Sequence, residues 1–244
     1  MKINADFDQV AYEHSERMPW VASPMPGVAR RMLDRVGDEV ARATSIVRYA
    51  PGSSFSSHVH SGGEEFLVLD GVFQDEHGDY PAGTYVRNPV NTEHTPASAP
   101  GCEIFVKLWQ FGPTEKQILR LDTHNLSLTE NLGRSGVISG VASSLLYKDD
   151  REKVAIEQWA ANAQTELNHK GGLELLVIEG SFSIANLKSG NGKLPEQSTD
   201  EIFQKGSWLR VPESTTLNAV ASSEGARIWI KAGHLDHVTI PGSI

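Results

Sequence analysis

The stretch Gly62-Gly63-Glu64-Glu65-Phe66-Leu67-Val68-Leu69-Asp70-Gly71-Val72-Phe73 returns 109 positions later as Gly171-Gly172-Leu173-Glu174-Leu175-Leu176-Val177-Ile178-Glu179-Gly180-Ser181-Phe182. Each copy is an apolar run set between a Gly-Gly pair and a single glycine, which reads as a strand bounded by turns. Farther on, Gly83-Thr84-Tyr85-Val86-Arg87-Asn88-Pro89 returns after 123 positions as Gly206-Ser207-Trp208-Leu209-Arg210-Val211-Pro212. Gly101-Cys102-Glu103-Ile104-Phe105-Val106-Lys107 returns after 124 as Gly225-Ala226-Arg227-Ile228-Trp229-Ile230-Lys231. Three matches in order, with the change of offset confined to a polar insertion at 186–193, mark a duplicated domain. The insertion reads as a lengthened hairpin loop. Further short runs of strand character, at 44–49 and 104–108, end at Ala50-Pro51-Gly52 or begin after Ala99-Pro100-Gly101. Strands at this spacing predict an all-β sandwich or barrel with few short helices. One helix is expected over 27–40, where Val28, Met32, Leu33 and Val36 form a stripe at i, i+4, i+5 and i+8.

The duplication accounts for the length. A chain of 244 residues exceeds one domain of about 100–150 residues, and it divides into copies at 1–122 and 123–244. Lys plus Arg is 22 against 31 Asp plus Glu, a formal charge of −9, which argues against nucleic acid or an anionic membrane as partner. The single cysteine, Cys102, excludes an internal disulfide and a Cys-rich zinc module, and its place at the start of a strand reads as a buried thiol. The opening Met1-Lys2-Ile3-Asn4-Ala5 lacks the basic and apolar regions of a signal peptide, and no run approaches the roughly 20 apolar residues of a membrane span. A cytoplasmic protein, monomer or homodimer, is expected.

Nine histidines are the unusual item. His58 and His60, two apart on a strand, point the same way. The Gly62-Gly63 turn lets the chain re-enter with a carboxylate, Glu64 or Glu65, near them, and alternation places only one of the two inside. His94, within Pro89-Val90-Asn91-Thr92-Glu93-His94, supplies a third imidazole from a separate strand. His14, His77, His124, His234 and His237 have no ligand-like spacing, and His77 reads as a hairpin-turn residue. Gly133-Arg134-Ser135-Gly136 is not a nucleophile elbow and Gly190-Asn191-Gly192-Lys193-Leu194 is not a phosphate loop; both read as loops.

The spacing Gly52, His58, His60, Glu64, Gly71, followed by Gly83, Pro89 and His94, resembles the two motifs of the cupin superfamily, a double-sheet jelly-roll barrel. Asn91 stands where the second motif has glycine, and Asn tolerates a left-handed turn best among the other residues. The resemblance implies two tandem cupin barrels, with His58, His60, Glu64 and His94 ligating one divalent metal in the first. Such donors suit Zn, Fe, Mn, Ni or Co and leave two octahedral positions open. Glu65 or Glu93 is expected as an acceptor for a ligand imidazole N–H. In the second copy His58 becomes Leu167, Glu64 becomes Leu173 and His94 becomes Leu217, and only His169 survives at the place of His60. The second barrel is therefore expected to bind no metal, with the three leucines filling its core.

The runs from Trp20 to Val28 and from Arg42 to Gly83 are similar to the ChrR-type cupins, named for an anti-sigma factor. That likeness implies zinc, a small-molecule ligand and a sensing or regulatory role in oxidative stress. In the family's anti-sigma proteins a separate N-terminal Cys/His zinc domain makes the sigma-factor contact. Here no cysteine precedes the first core, so a sigma factor is expected as a partner only indirectly. Some similar cupins are metal-dependent dioxygenases of small diketones, which implies as an alternative a mononuclear non-haem dioxygenase acting on a diketone or keto acid.

Overall fold

The first copy of the repeated stretch forms the strand Glu64–Asp75 in the computed structural model, which describes residues 1–38, 40–130, 137–188 and 201–242. It lies between two antiparallel neighbours, Thr84–Asn88 and Cys102–Leu108. Cys102–Leu108 pairs in turn with Ala41–Tyr49, and that strand with Val28–Gly37. Because side chains alternate along each strand, one face of this sheet gathers the apolar residues. Val28, Val47, Tyr49, Phe66, Val68, Ile104 and Val106 belong to one buried cluster. Burying each of these side chains contributes about 1.5–3 kcal/mol.

The stretch 27–40 is a strand, Val28–Gly37, and not the expected helix. Its register with Ala41–Tyr49 shifts between Met32 and Asp34, a β-bulge that adds one residue and changes which parity faces inward. Two-residue periodicity interrupted by an extra residue imitates a helical stripe. Helical structure among the described residues is confined to short 3-10 turns such as Ser15–Arg17 and Thr123–Asn125. None is long and apolar enough to cross a membrane.

The chain divides into two units, one of Met1–Ala5, Met18–Asn125 and Thr239–Ile244, the other of Asp6–Arg17 and Leu126–Val238. The second unit repeats the strand order of the first. Leu173–Lys188 lies between Ser207–Val211 and Thr216–Ala232, and the latter pairs with Lys153–Leu167. Ser207–Val211 is completed by Ala11–His14, as Thr84–Asn88 is by Leu119–Asp122. The repeat extends to single residues. Gly71 and Gly180 both adopt a φ of 69°, where a Cβ would collide with the carbonyl oxygens of Gly101 and Gly225 respectively. Leu167, Leu173 and Leu217 are fully buried in the second unit's apolar core. The loops read at 133–136 and 190–194 lie outside the described residues, as does the insertion at 186–193 beyond the strand end at 188. Cys102 is buried, and that burial pushes its thiol up to about 11.

Candidate metal centre

Three side chains from the segment 58–64 meet a fourth from residue 94 in the first barrel. His58, on the short strand His58–Val59, is the register partner of His94 on Glu93–His94. His60 follows on the same chain segment, and Glu64 begins the strand Glu64–Asp75. The turn between them needs glycine: Gly63 has a φ of 75°, and a Cβ there would collide with the ring of Phe111. Asn91, at a φ of 70°, occupies the left-handed turn position that glycine holds in related motifs. The ring centroids of His58, His60 and His94 lie 4.6–5.1 Å apart. One nitrogen from each, with one oxygen of Glu64, falls within 4.8 Å of the other three.

The hydrogen bonds fix which nitrogen points inward. His60 Nδ1 lies 3.0 Å from Thr92 Oγ1, and the Thr92 hydroxyl is already donated to the Pro89 carbonyl at 2.7 Å. Thr92 is therefore the acceptor, and the His60 proton sits on Nδ1. His94 Nδ1 lies 3.2 Å from the Asp75 carboxylate, and His58 Nδ1 lies 3.1 Å from the Ser56 carbonyl, both acceptors only. With one proton on each ring, all three thus carry their lone pairs on Nε2. The Nε2 atoms of His60 and His94 stand 3.1 Å apart, with Glu64 Oε2 3.4 Å from the first and 3.5 Å from the second. Lone pairs facing one another beside a carboxylate at such distances repel unless a cation lies among them. Ligands about 2.1 Å from a first-row ion stand about 3.0 Å apart at a right angle and about 3.4 Å at a tetrahedral one. The observed separations fit that donor set. A His-His-Glu-His cluster of this kind fits a metal site typical of cupins, and its donors do not select one first-row ion.

The surroundings hold the donors in place. Asn88 Nδ2 donates to Glu64 Oε2 at 3.0 Å, while its Oδ1 accepts from Arg120 at 2.7 Å, so the amide cannot turn round. Asp75 accepts from the His77 backbone N–H at 2.8 Å and from the Tyr80 hydroxyl at 3.0 Å with its other oxygen. Burial works against a low pKa for Asp75, but the hydrogen bonds from His94, His77 and Tyr80 outweigh it and hold the carboxyl below its usual value. Burial alone pulls both His60 and His94 down. His60 does end low, whereas the Asp75 hydrogen bond and the charge of Glu64 raise His94.

The imidazole N–H acceptors are thus Asp75, Thr92 and Ser56, in place of the expected Glu65 or Glu93. Glu65 Oε2 accepts from Arg87 at 2.8 Å and from the Tyr85 hydroxyl at 2.6 Å, and Glu93 accepts from Ser57 at 2.6 Å. Asp75 escaped the sequence reading because it sits in a hairpin turn with His77, where a turn role already explained it. The second unit keeps the geometry without the chemistry. Leu167 and Leu217 are register partners, as His58 and His94 are. His169 turns its Nδ1 to the carbonyl of Lys170.

A cavity of about 470 Å³ adjoins the cluster, with His58, His60 and Glu64 in its wall. Most of the remaining wall is apolar, including Met25, Val28, Val47, Phe55 and Ile104.

Duplicated antiparallel barrels, with three histidines and a glutamate converging in the first, have the architecture of a two-barrel cupin fold. Residues 8–112 match the family model of the ChrR cupin-like domain. Among solved structures the chain is similar to a Nostoc punctiforme protein described as a "putative dioxygenase", at 15% identity over 96% of this chain and 86% of that one, with a TM-score of 0.71. Protein Ylba from E. coli is similar at 14% identity over 96% and 95%, with a TM-score of 0.66. Oxalate decarboxylase from Lactobacillus farciminis, in a formate complex, is similar at 12% identity over 91% and 86%, with a TM-score of 0.62. At these identities the likeness is one of fold. A search of the curated proteins found no match.

Proposed function

We propose that the first barrel holds one divalent metal ion on His58, His60, Glu64 and His94, and that a small molecule from the adjoining cavity binds at the ion's remaining positions. The observation that carries this reading is the convergence of three Nε2 lone pairs and one carboxylate oxygen, with every Nδ1 turned onto an acceptor. The role we assign is that of a small-molecule sensing module, in keeping with the ChrR cupin-like match, with zinc as the ion. A sigma factor would be reached only through a further protein. The second barrel, with leucine at three of the four ligand positions, serves as scaffold.

A second reading, a mononuclear non-haem dioxygenase of a small diketone or keto acid, has its own support. The cavity opens directly on three of the four donors and has room for a small organic molecule. A divalent ion there would supply Lewis-acid polarisation of a bound oxygen atom. The protein's own part is to exclude water with the apolar wall, and to keep each imidazole in one tautomer through Ser56, Thr92 and Asp75.

Metal-binding titrations test the shared part: His94→Ala should abolish stoichiometric binding, whereas His169→Ala should leave it unchanged. The opposite pattern refutes the assignment. Oxygen uptake separates the two roles. Iron-loaded protein that consumes O2 with 2,4-pentanedione or a 2-oxo acid is an oxygenase; zinc-retaining protein that binds such compounds without turnover is a sensor.

A further inference from the structure

Two side chains in the cavity wall carry a polar group with no hydrogen-bond or ion-pair partner among the described residues. Arg30, on the strand Val28–Gly37, is the register partner of Val47, and both residues line the cavity. Its Nε is shut off from solvent and makes no hydrogen bond, and among the described residues its guanidinium has no ion pair. The hydroxyl of Tyr49, two residues beyond Val47, also makes no hydrogen bond among the described residues, although the residue is buried in the same wall. Two other arginines of this unit are ion-paired. Arg87 pairs with Glu65 and Glu115, and Arg48 with Glu103. Arg30 is half-buried, and its Nε is a donor shut off from both water and protein, which an anion in the cavity would satisfy.

We propose that the cavity takes a small organic monocarboxylate with an apolar tail. Its carboxylate pairs with Arg30, Tyr49 donates a hydrogen bond to one of its oxygens, and its chain lies against Met25, Phe55 and Ile104. The inference rests on the metal reading above and narrows its ligand. Charge is consistent with it: a divalent ion on three neutral imidazoles and the Glu64 carboxylate leaves one net positive charge, and Arg30 adds another. A neutral diketone would leave Arg30 unmatched. A 2-oxo acid answers both the cation in the wall and the ion's need for oxygen ligands.

The test is isothermal titration of the zinc-loaded full chain with 2-oxohexanoate and with 2,3-heptanedione, which has the same chain but an acetyl group in place of the carboxylate. The acid should bind at least about tenfold more tightly, the worth of one charge-assisted hydrogen bond. R30Q should remove that advantage and leave zinc content unchanged; Y49F should weaken the acid severalfold. Equal affinities for acid and dione, no binding of either at millimolar concentration, or an R30Q variant that binds the acid as the wild type does would each overturn the proposal. The wild-type contrast requires no variant, so it stands even if R30Q misfolds. Zinc content measured on the same samples separates the two readings. Protein that retains no zinc contradicts the metal site, and the acid–dione contrast repeated after chelator treatment still decides the role of Arg30.

Discussion

Importing the second barrel's residues into the first, as His58→Leu with His94→Leu, should abolish metal-dependent stabilisation while leaving the metal-free fold almost as stable as before. The second unit already places Leu167 opposite Leu217 at the same register, so the backbone accepts the pair. In the metal-free protein the exchange loses the His94–Asp75 hydrogen bond, worth about 1.5–3 kcal/mol, and the His58–Ser56 bond, worth about 1 kcal/mol. Against that, leucine at the buried position 94 contributes about 2 kcal/mol, and the lone-pair contact between His60 and His94 disappears. The net change is within about 2 kcal/mol. The metal effect is separate. At free zinc a hundredfold above Kd, binding adds about 2.7 kcal/mol to the wild type. For a unit of this size that raises the unfolding midpoint by roughly 10 °C. The assay is thermal or urea unfolding of both proteins, once in chelator and once in buffered zinc. A double variant that zinc still stabilises as much as the wild type would refute the reasoning, and so would a wild type indifferent to zinc.

Three further outcomes are expected. Asp75→Asn removes the charge that orients His94 and should weaken metal binding by about 10–100-fold in competition with a chromophoric chelator; unchanged affinity would show that Asp75 does not act through His94. Gly71→Ala and Gly180→Ala should each cost about 2–3 kcal/mol in denaturant unfolding, through positive φ and collision with a backbone carbonyl, and similar losses are expected because the two turns are copies. Cys102, with its thiol pushed up to about 11, is about one part in a thousand thiolate at pH 8 and should resist a disulfide reagent until the protein unfolds. Rapid labelling of the native protein would contradict its burial.

Much of this was legible in the residues because the signals were local and repeated. The Gly-Gly and single-glycine turns bracket the same strand twice, and the strand order they imply is present in both units. His58, His60, Glu64 and His94 were legible through spacing, since a fixed number of residues around tight turns fixes where the side chains return. What escaped depends on pairing between distant segments. The strand Val28–Gly37 passes for a helix because its bulge at Met32 and Asp34 exists only against Ala41–Tyr49. Asp75 reaches His94 across 19 residues, and its carboxylate has a sufficient local explanation in the turn it closes. Glu65 passes for a metal-site acceptor until its strand neighbours are known. The residues opposite it on Thr84–Asn88 bring Arg87 and Tyr85 to its carboxylate, on the face away from the histidines. Arg30 and Tyr49 become visible only when the cavity they line is closed by other strands.

The central claim is one occupied metal site in a chain built of two similar barrels. Elemental analysis of the protein purified without added metal, and again after zinc loading and desalting, tests it most directly. One divalent ion per chain is the predicted result, falling to none in the His58→Leu, His94→Leu variant. Two ions per chain, or none retained after loading, would contradict the account.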